Sequence, residues 1–338
     1  MAVAARIDPK AYFAPQEWAP LSRRSRWKGL ALLAHAWIVI GLAMAMAVAA
    51  PGWWKLAAIP LAIAIIGARQ LGLAILMHDA AHVALHPDPK VNDWVGNHLT
   101  TGGLIGYRNY HLTHHKYAQQ GEDPDLVLSA PFPITRVSLR RKIVRDLTGQ
   151  TYYKLRWSGL VKRIAERRPQ EPLLPILGEA IVARRRFLTG MVVTIALTAP
   201  FGLWWVWPVL WLVPQATWLP LVTRLRNIAE HACVPKNEPD PLRHARTTMA
   251  NWLERAFIAP YYVNYHCEHH MFMHVPCYNL PRAHRLLVQK GVWDGMLSAP
   301  GYLSVLRLAS AKPAGPGPPP PQPRPALNSS TACLKATA

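Results

Sequence analysis

Residues 56–82 read LAAIPLAIAIIGARQLGLAILMHDAAH, an apolar run that closes on two histidines four apart, His78 and His82. At about 1.5 Å of rise per residue, a helix over 56–77 can cross about 30 Å of hydrocarbon. The histidines then sit where the chain leaves the bilayer. Arg69 and Gln70 interrupt the run near its end. Arg69 is expected to snorkel to the headgroups, with a polar contact inside the bundle as the alternative.

Outward from this stretch, three more apolar runs occupy 30–50, 187–206 and 207–222. A five-residue link at 51–55 joins the first pair, and the aromatic cluster Trp204, Trp205 and Trp207 joins the second, as suits a membrane interface. The expected fold is an all-α integral membrane protein, with four transmembrane helices in two hairpins and a cytosolic helical cap. Arg23, Arg24, Arg26 and Lys28, then Arg184, Arg185 and Arg186, then Arg224 and Arg226, all flank the runs on one side. Positive-inside reasoning places that side, with both termini, in the cytosol, at the inner membrane if the source is bacterial. Residues 1–29 read as a cytosolic N-terminal segment, 30–311 as the membrane domain, and 312–338 as a Pro-rich tail expected to be disordered. Residues 1–18 lack the short apolar core of a cleaved signal peptide, so targeting is expected from the first span.

Composition agrees with this reading, since 51% hydrophobic and 17% charged residues fit an ordinary soluble domain poorly. A net charge of +20 would suit a nucleic-acid partner, but the Lys and Arg fall mainly beside apolar runs, and none is expected. Cys233, Cys267, Cys277 and Cys333 show no CxxC spacing, which speaks against a zinc ribbon, an iron–sulfur centre and a disulfide framework.

The fifteen histidines are clustered. His78 and His82 form HxxxH; His111, His114 and His115 form HxxHH; His266, His269 and His270 form a second HxxHH. Random placement would produce HxxHH only about 0.03 times in this chain, and it occurs twice. Residues i, i+3 and i+4 share a helical face, so each box can aim its imidazoles at one centre. Imidazole suits iron, zinc, copper and nickel alike. Eight histidines are too many for one tetrahedral zinc, and HExxH is absent, so two ions of higher coordination fit better. His231 is a ninth candidate, on one helical face with Asn227. His98, His244 and His284 are expected to be solvated, and His35 to bond within the bundle. His86 and His274 are candidates to orient ligands, although Pro87 is expected to end any helix by His86. Asp79, Glu230 and Glu268 lie inside the boxes but on faces turned away from the histidines, and are expected at most to support them from behind. A membrane haem protein or metal transporter is disfavoured, because the boxes lie beyond the apolar runs.

The order HxxxH, HxxHH, NxxxH, HxxHH, with an apolar hairpin before the first box and another before NxxxH, resembles the membrane fatty acid desaturase and hydroxylase superfamily. Asp123-Pro124-Asp125, Asn264-Tyr265 before the third box, and Val275 to Pro281 after it carry the resemblance further, over about residues 56–287. It makes the 30–311 domain desaturase-like. It implies that His78, His82, His111, His114, His115, His231, His266, His269 and His270 ligate two iron ions, with Asn227 holding a metal-bound water and no catalytic residue beyond the metal centre. It implies dioxygen as co-substrate and desaturation of a long-chain acyl lipid, the alternative being hydroxylation or ketolation of a hydrocarbon or carotenoid. No His-Pro-Gly-Gly haem motif occurs. An external electron donor, ferredoxin or cytochrome b5-like, is therefore expected, with Arg140, Arg141, Lys142 and the 163–168 region available to steer it, or equally to bind anionic lipid and set topology.

Overall fold

The computed structural model describes residues 7–168, 170–238 and 240–313. Regular structure among them is helical apart from one parallel ladder, Thr247–Thr248 beside Ser298–Ala299. By backbone contact, the described parts of 1–35, 72–139 and 224–338 form one compact unit, and those of 36–71 and 140–223 form another.

Helix α1 is Lys28–Ala49 and α2 is Lys55–Ala81, entered through the tight turn Gly52–Trp54. Among the described residues, these two helices are long and apolar enough to cross a membrane. Only 28% of the apolar window of α1 is buried, leaving Ile38 and Leu42 exposed; lipid is the solvent in which such a surface is stable. Arg69 is 6% exposed, so it is buried and does not reach outward as expected. Its neighbour Gln70 donates to the Trp211 carbonyl at 3.0 Å.

Helix α2 ends at the first box. Val83 takes a positive φ of 55°, an unusual conformation for a β-branched residue, and the Ala84 N–H returns to the Asp79 carbonyl at 2.8 Å. Helix α3, Leu104–Lys116, carries the second box in its last turns. Arg108 on α3 donates to the carbonyls of Ala80 and Ala81, both at 2.9 Å, and so satisfies the end of α2 that α2 itself cannot.

The expected third and fourth spans have different bounds. Helix α4 is Leu173–Thr198, running back through Arg184 to Arg186, which are good helix formers. It stops before Pro200, and Gly202 turns the chain with a φ of 69°. Beyond, Pro208 opens a π-helical stretch, Pro208–Leu212, followed by the short helix Val213–Ala216 and then by α5, Trp218–His231. The prolines break what hydropathy alone reads as one helix. The remaining box helix is α6, His266–Met271, and α7, Leu280–Gln289, follows it. Of the Pro-rich tail, residues 314–338 lie outside the described residues.

Gly29 in α1 permits a close approach to the segment after the first box. A Cβ there would lie 2.2 Å from the Leu85 carbonyl oxygen, and backbone has no rotamer with which to yield. Gly29→Ala is therefore expected to lower stability by about 1–3 kcal/mol, read as a lower thermal-unfolding midpoint in detergent, while Gly41→Ala, with nothing near its Cβ, leaves it unchanged.

Candidate metal centre

All nine histidines named above lie in the first unit, and their rings converge into two groups. One comprises His78, His82, His111, His115 and His269; the other His114, His231, His266 and His270. Within each group the potential ligand atoms lie within 4.8 Å of one another, and every ring is buried except His270, which is half-buried. The third box is divided between the groups, as is the second, so each helix serves both. His115 and His270 stack with ring centroids 4.3 Å apart, which puts the two groups side by side.

The rings meet nitrogen to nitrogen. The Nε2 of His115 is 3.0 Å from those of both His111 and His269. The Nε2 of His266 is 2.9 Å from that of His231 and 3.2 Å from that of His270. Neutral imidazole has one ring proton, and facing nitrogens cannot all be satisfied by sharing such protons. Both ring nitrogens of His78 and of His82 are buried with no hydrogen-bond partner among the described residues, at a cost of about 1–3 kcal/mol each. A cation among these lone pairs resolves the conflict, so the residues fit metal ions.

Protonation favours ligation. Burial, reinforced by neighbouring histidines, holds His111, His115, His231, His266, His269 and His270 well below the ordinary histidine range. The neutral ring is the form that binds metal. For His114 burial also presses downward, but the carboxylates of Asp123, Asp125 and Glu230 together outweigh it and the net shift is upward. That carboxylate lies 2.8 Å from His114 Nδ1, which keeps the proton on Nδ1 and turns the Nε2 lone pair toward the cluster. Asp123 is itself held by the backbone N–H groups of Gln119 and Asp125, at 2.9 and 2.8 Å.

Several expectations are corrected here. His244 is buried, its Nε2 lies 2.7 Å from the Glu238 carbonyl, and its backbone hydrogen-bonds the His231 ring, so it orients a cluster residue. His284 is buried too, with Nδ1 2.6 Å from Glu268, whose other oxygen accepts from Thr247. His98 alone of the three is exposed, against the Trp94 carbonyl. Glu268 does face away from the clusters, and Asp79 accepts from the Cys277 N–H. Glu230 does not face away: its Oε2 is 3.4 Å from His266 Nε2, because α6 brings His266 across the Glu230 side of α5. Asn227 lies one turn before His231, half-buried, and no hydrogen bond among the described residues joins it to a cluster histidine. His274 rests its Nδ1 3.4 Å from the His82 carbonyl, while His86 bonds Asp88 and His35 bonds Tyr261.

Sequence reasoning missed Arg246. It is buried and donates to the carbonyls of Ala229, Ala232 and Cys233, closing the end of α5 as Arg108 closes α2. No spacing rule connects Arg246 to α5, so only the fold reveals it.

A helical chain with apolar helices and buried imidazole clusters that could hold metal ions is the architecture of a desaturase-type oxidoreductase. The profile of the fatty acid desaturase family matches residues 51–296, and the chain belongs to that family. It is similar to the dihydrorhizobitoxine desaturase of Bradyrhizobium elkanii, with 26% identity over 291 residues that cover 82% of this chain and 77% of that protein.

Proposed function

We propose that this desaturase uses two iron ions and dioxygen to introduce a carbon–carbon double bond into a long-chain acyl lipid. The observation that carries the reading is the pair of buried clusters, five imidazoles beside four, built around the end of an apolar helix. His78, His82, His111, His115 and His269 would hold one iron, and His114, His231, His266 and His270 the other, with Asn227 acting through a water. Bound iron supplies the dioxygen chemistry that withdraws hydrogen from an unactivated C–H bond.

The chain's own residues position and protect. Burial favours the neutral form of the imidazoles other than His114; Asp123 and the His244 backbone orient His114 and His231, and Arg108 and Arg246 fix the ends of α2 and α5. An acyl lipid suits a site reached from the bilayer, and electrons would come from an external ferredoxin or cytochrome b5-like protein. The arrangement is a four-span, multi-pass one, with the histidine boxes and both termini cytosolic. Reporter fusions after Gln150 and after Pro313 are then both expected to read cytosolic, and an opposite reading at either point would overturn the topology.

Expression with a ferredoxin system, followed by mass spectrometry of total lipids against a His114→Ala control, tests the reaction. Lipids lighter by two hydrogens support desaturation; products heavier by one oxygen would replace it with the hydroxylase reading, and products that gain one oxygen and lose two hydrogens with the ketolase reading. Purified active protein is expected to hold about two irons per chain. One zinc and no iron would overturn the metal assignment. The relative is named for dihydrorhizobitoxine rather than for a fatty acid, which favours a second reading in which the substrate is not an acyl lipid. In that case total lipids stay unchanged, and the loss of two hydrogens appears in the non-lipid extract.

A further inference from the structure

We propose that Glu230 supplies a carboxylate oxygen to the metal of the four-histidine cluster, an assignment that rests on the two-metal reading above. Glu230 is 2% exposed. Its Oε1 accepts from Arg226 Nε at 2.6 Å, which anchors the carboxylate from behind. Its Oε2 is buried with no hydrogen-bond partner among the described residues and lies 3.4 Å from His266 Nε2, the nitrogen that also meets His231 and His270. At zinc-like metal–nitrogen bond lengths of about 2.1 Å, neighbouring donors on one ion stand ~3 Å apart, so Oε2 and His266 Nε2 are spaced to share one.

Two further arguments agree. The clusters hold five and four imidazoles, and a carboxylate brings the smaller to five donors. Nine imidazoles also offer no negative charge to two buried cations, and an uncompensated buried charge is costly. The other buried acids nearby are each held by other partners, although Asp79 Oδ1 also lies 3.8 Å from His78 Nδ1. Asp123 bonds His114 and two backbone N–H groups, Glu268 bonds His284 and Thr247, and Asp79 takes the Cys277 N–H. Glu230 is the acid whose open oxygen faces a ring nitrogen that the cluster turns inward.

The test loads metal-free protein anaerobically with ferrous iron alone, counts iron per chain after desalting, and records Mössbauer spectra. Wild type is expected to retain two irons. Glu230→Gln, which keeps size but removes the charge, is expected to retain the five-histidine iron with its spectrum unchanged and to bind the other at least ~10-fold more weakly. Glu230→Asp, which restores the charge on a shorter arm, is expected to recover part of that affinity. The retained iron also reports that the variant has folded. Two irons at wild-type affinity with both spectra unchanged in Glu230→Gln would overturn the assignment and leave Glu230 as the partner of Arg226. Loss of both irons would overturn it as well, in favour of a role in folding. A wild type that does not retain two irons would instead refute the two-metal reading itself, and the assignment with it.

Discussion

Replacing His269 or His114 with alanine is expected to lower turnover by at least ~100-fold and to leave about one iron per chain in place of two. The two residues probe different clusters. His269 stands among the five, its Nε2 3.0 Å from that of His115, and His114 among the four, its Nε2 3.3 Å from that of His270. Each substitution removes one donor from one cluster and leaves the other cluster's donor set complete. His98→Ala is the control, because His98 is exposed and bonds only the Trp94 carbonyl. His244→Ala is not a neutral control, since His244 is buried behind His231; it is expected to fall between the extremes. Equal activity in His98→Ala and His269→Ala, with equal iron content, would show that the clusters are not the metal sites.

How much of this was legible from sequence differs between fold and site. The spacing of the three boxes pointed to His78 through His270 because i, i+3 and i+4 are neighbours on any helix, whatever surrounds it. The same local rule could not say which ring joins which group. His114 and His115 are adjacent in sequence yet serve different clusters, and that division depends on how α2, α3, α5 and α6 meet. Glu230 shows the same limit: its own helix turns it away from His231, whereas His266 arrives from another helix. Hydropathy found α1 and α2, in which few prolines or charges interrupt the run, and misplaced the bounds beyond residue 173. There, Arg184 to Arg186 lie within α4, and Pro208, Pro214 and Thr217 interrupt the approach to α5. Arg246, buried, and Arg108, half-buried, close helix ends without any sequence period.

Asp123 is placed to act on the four-histidine cluster without being one of its donors. The residue is 5% exposed, and its carboxylate has three partners: His114 Nδ1 and the N–H groups of Gln119 and Asp125. Asp123→Asn preserves the shape but not the hydrogen-bond pattern, because a carboxylate accepts at both oxygens and an amide at one. If the amide nitrogen turns toward His114, the imidazole must accept at Nδ1, and its proton moves to Nε2, the atom that faces the cluster. If it turns toward the backbone instead, a buried N–H loses its acceptor, at about 1–3 kcal/mol. Either way the expected result is a 10–100-fold lower affinity for iron in the four-histidine cluster, with the five-histidine cluster still loaded. Asp123→Ala abandons all three partners and is expected to lower the unfolding midpoint as well. Iron titration of the two variants separates orientation from stability. An affinity in Asp123→Asn equal to that of wild type would mean that the ring of His114 is held by packing alone, and that the 2.8 Å bond to Asp123 does not set its tautomer.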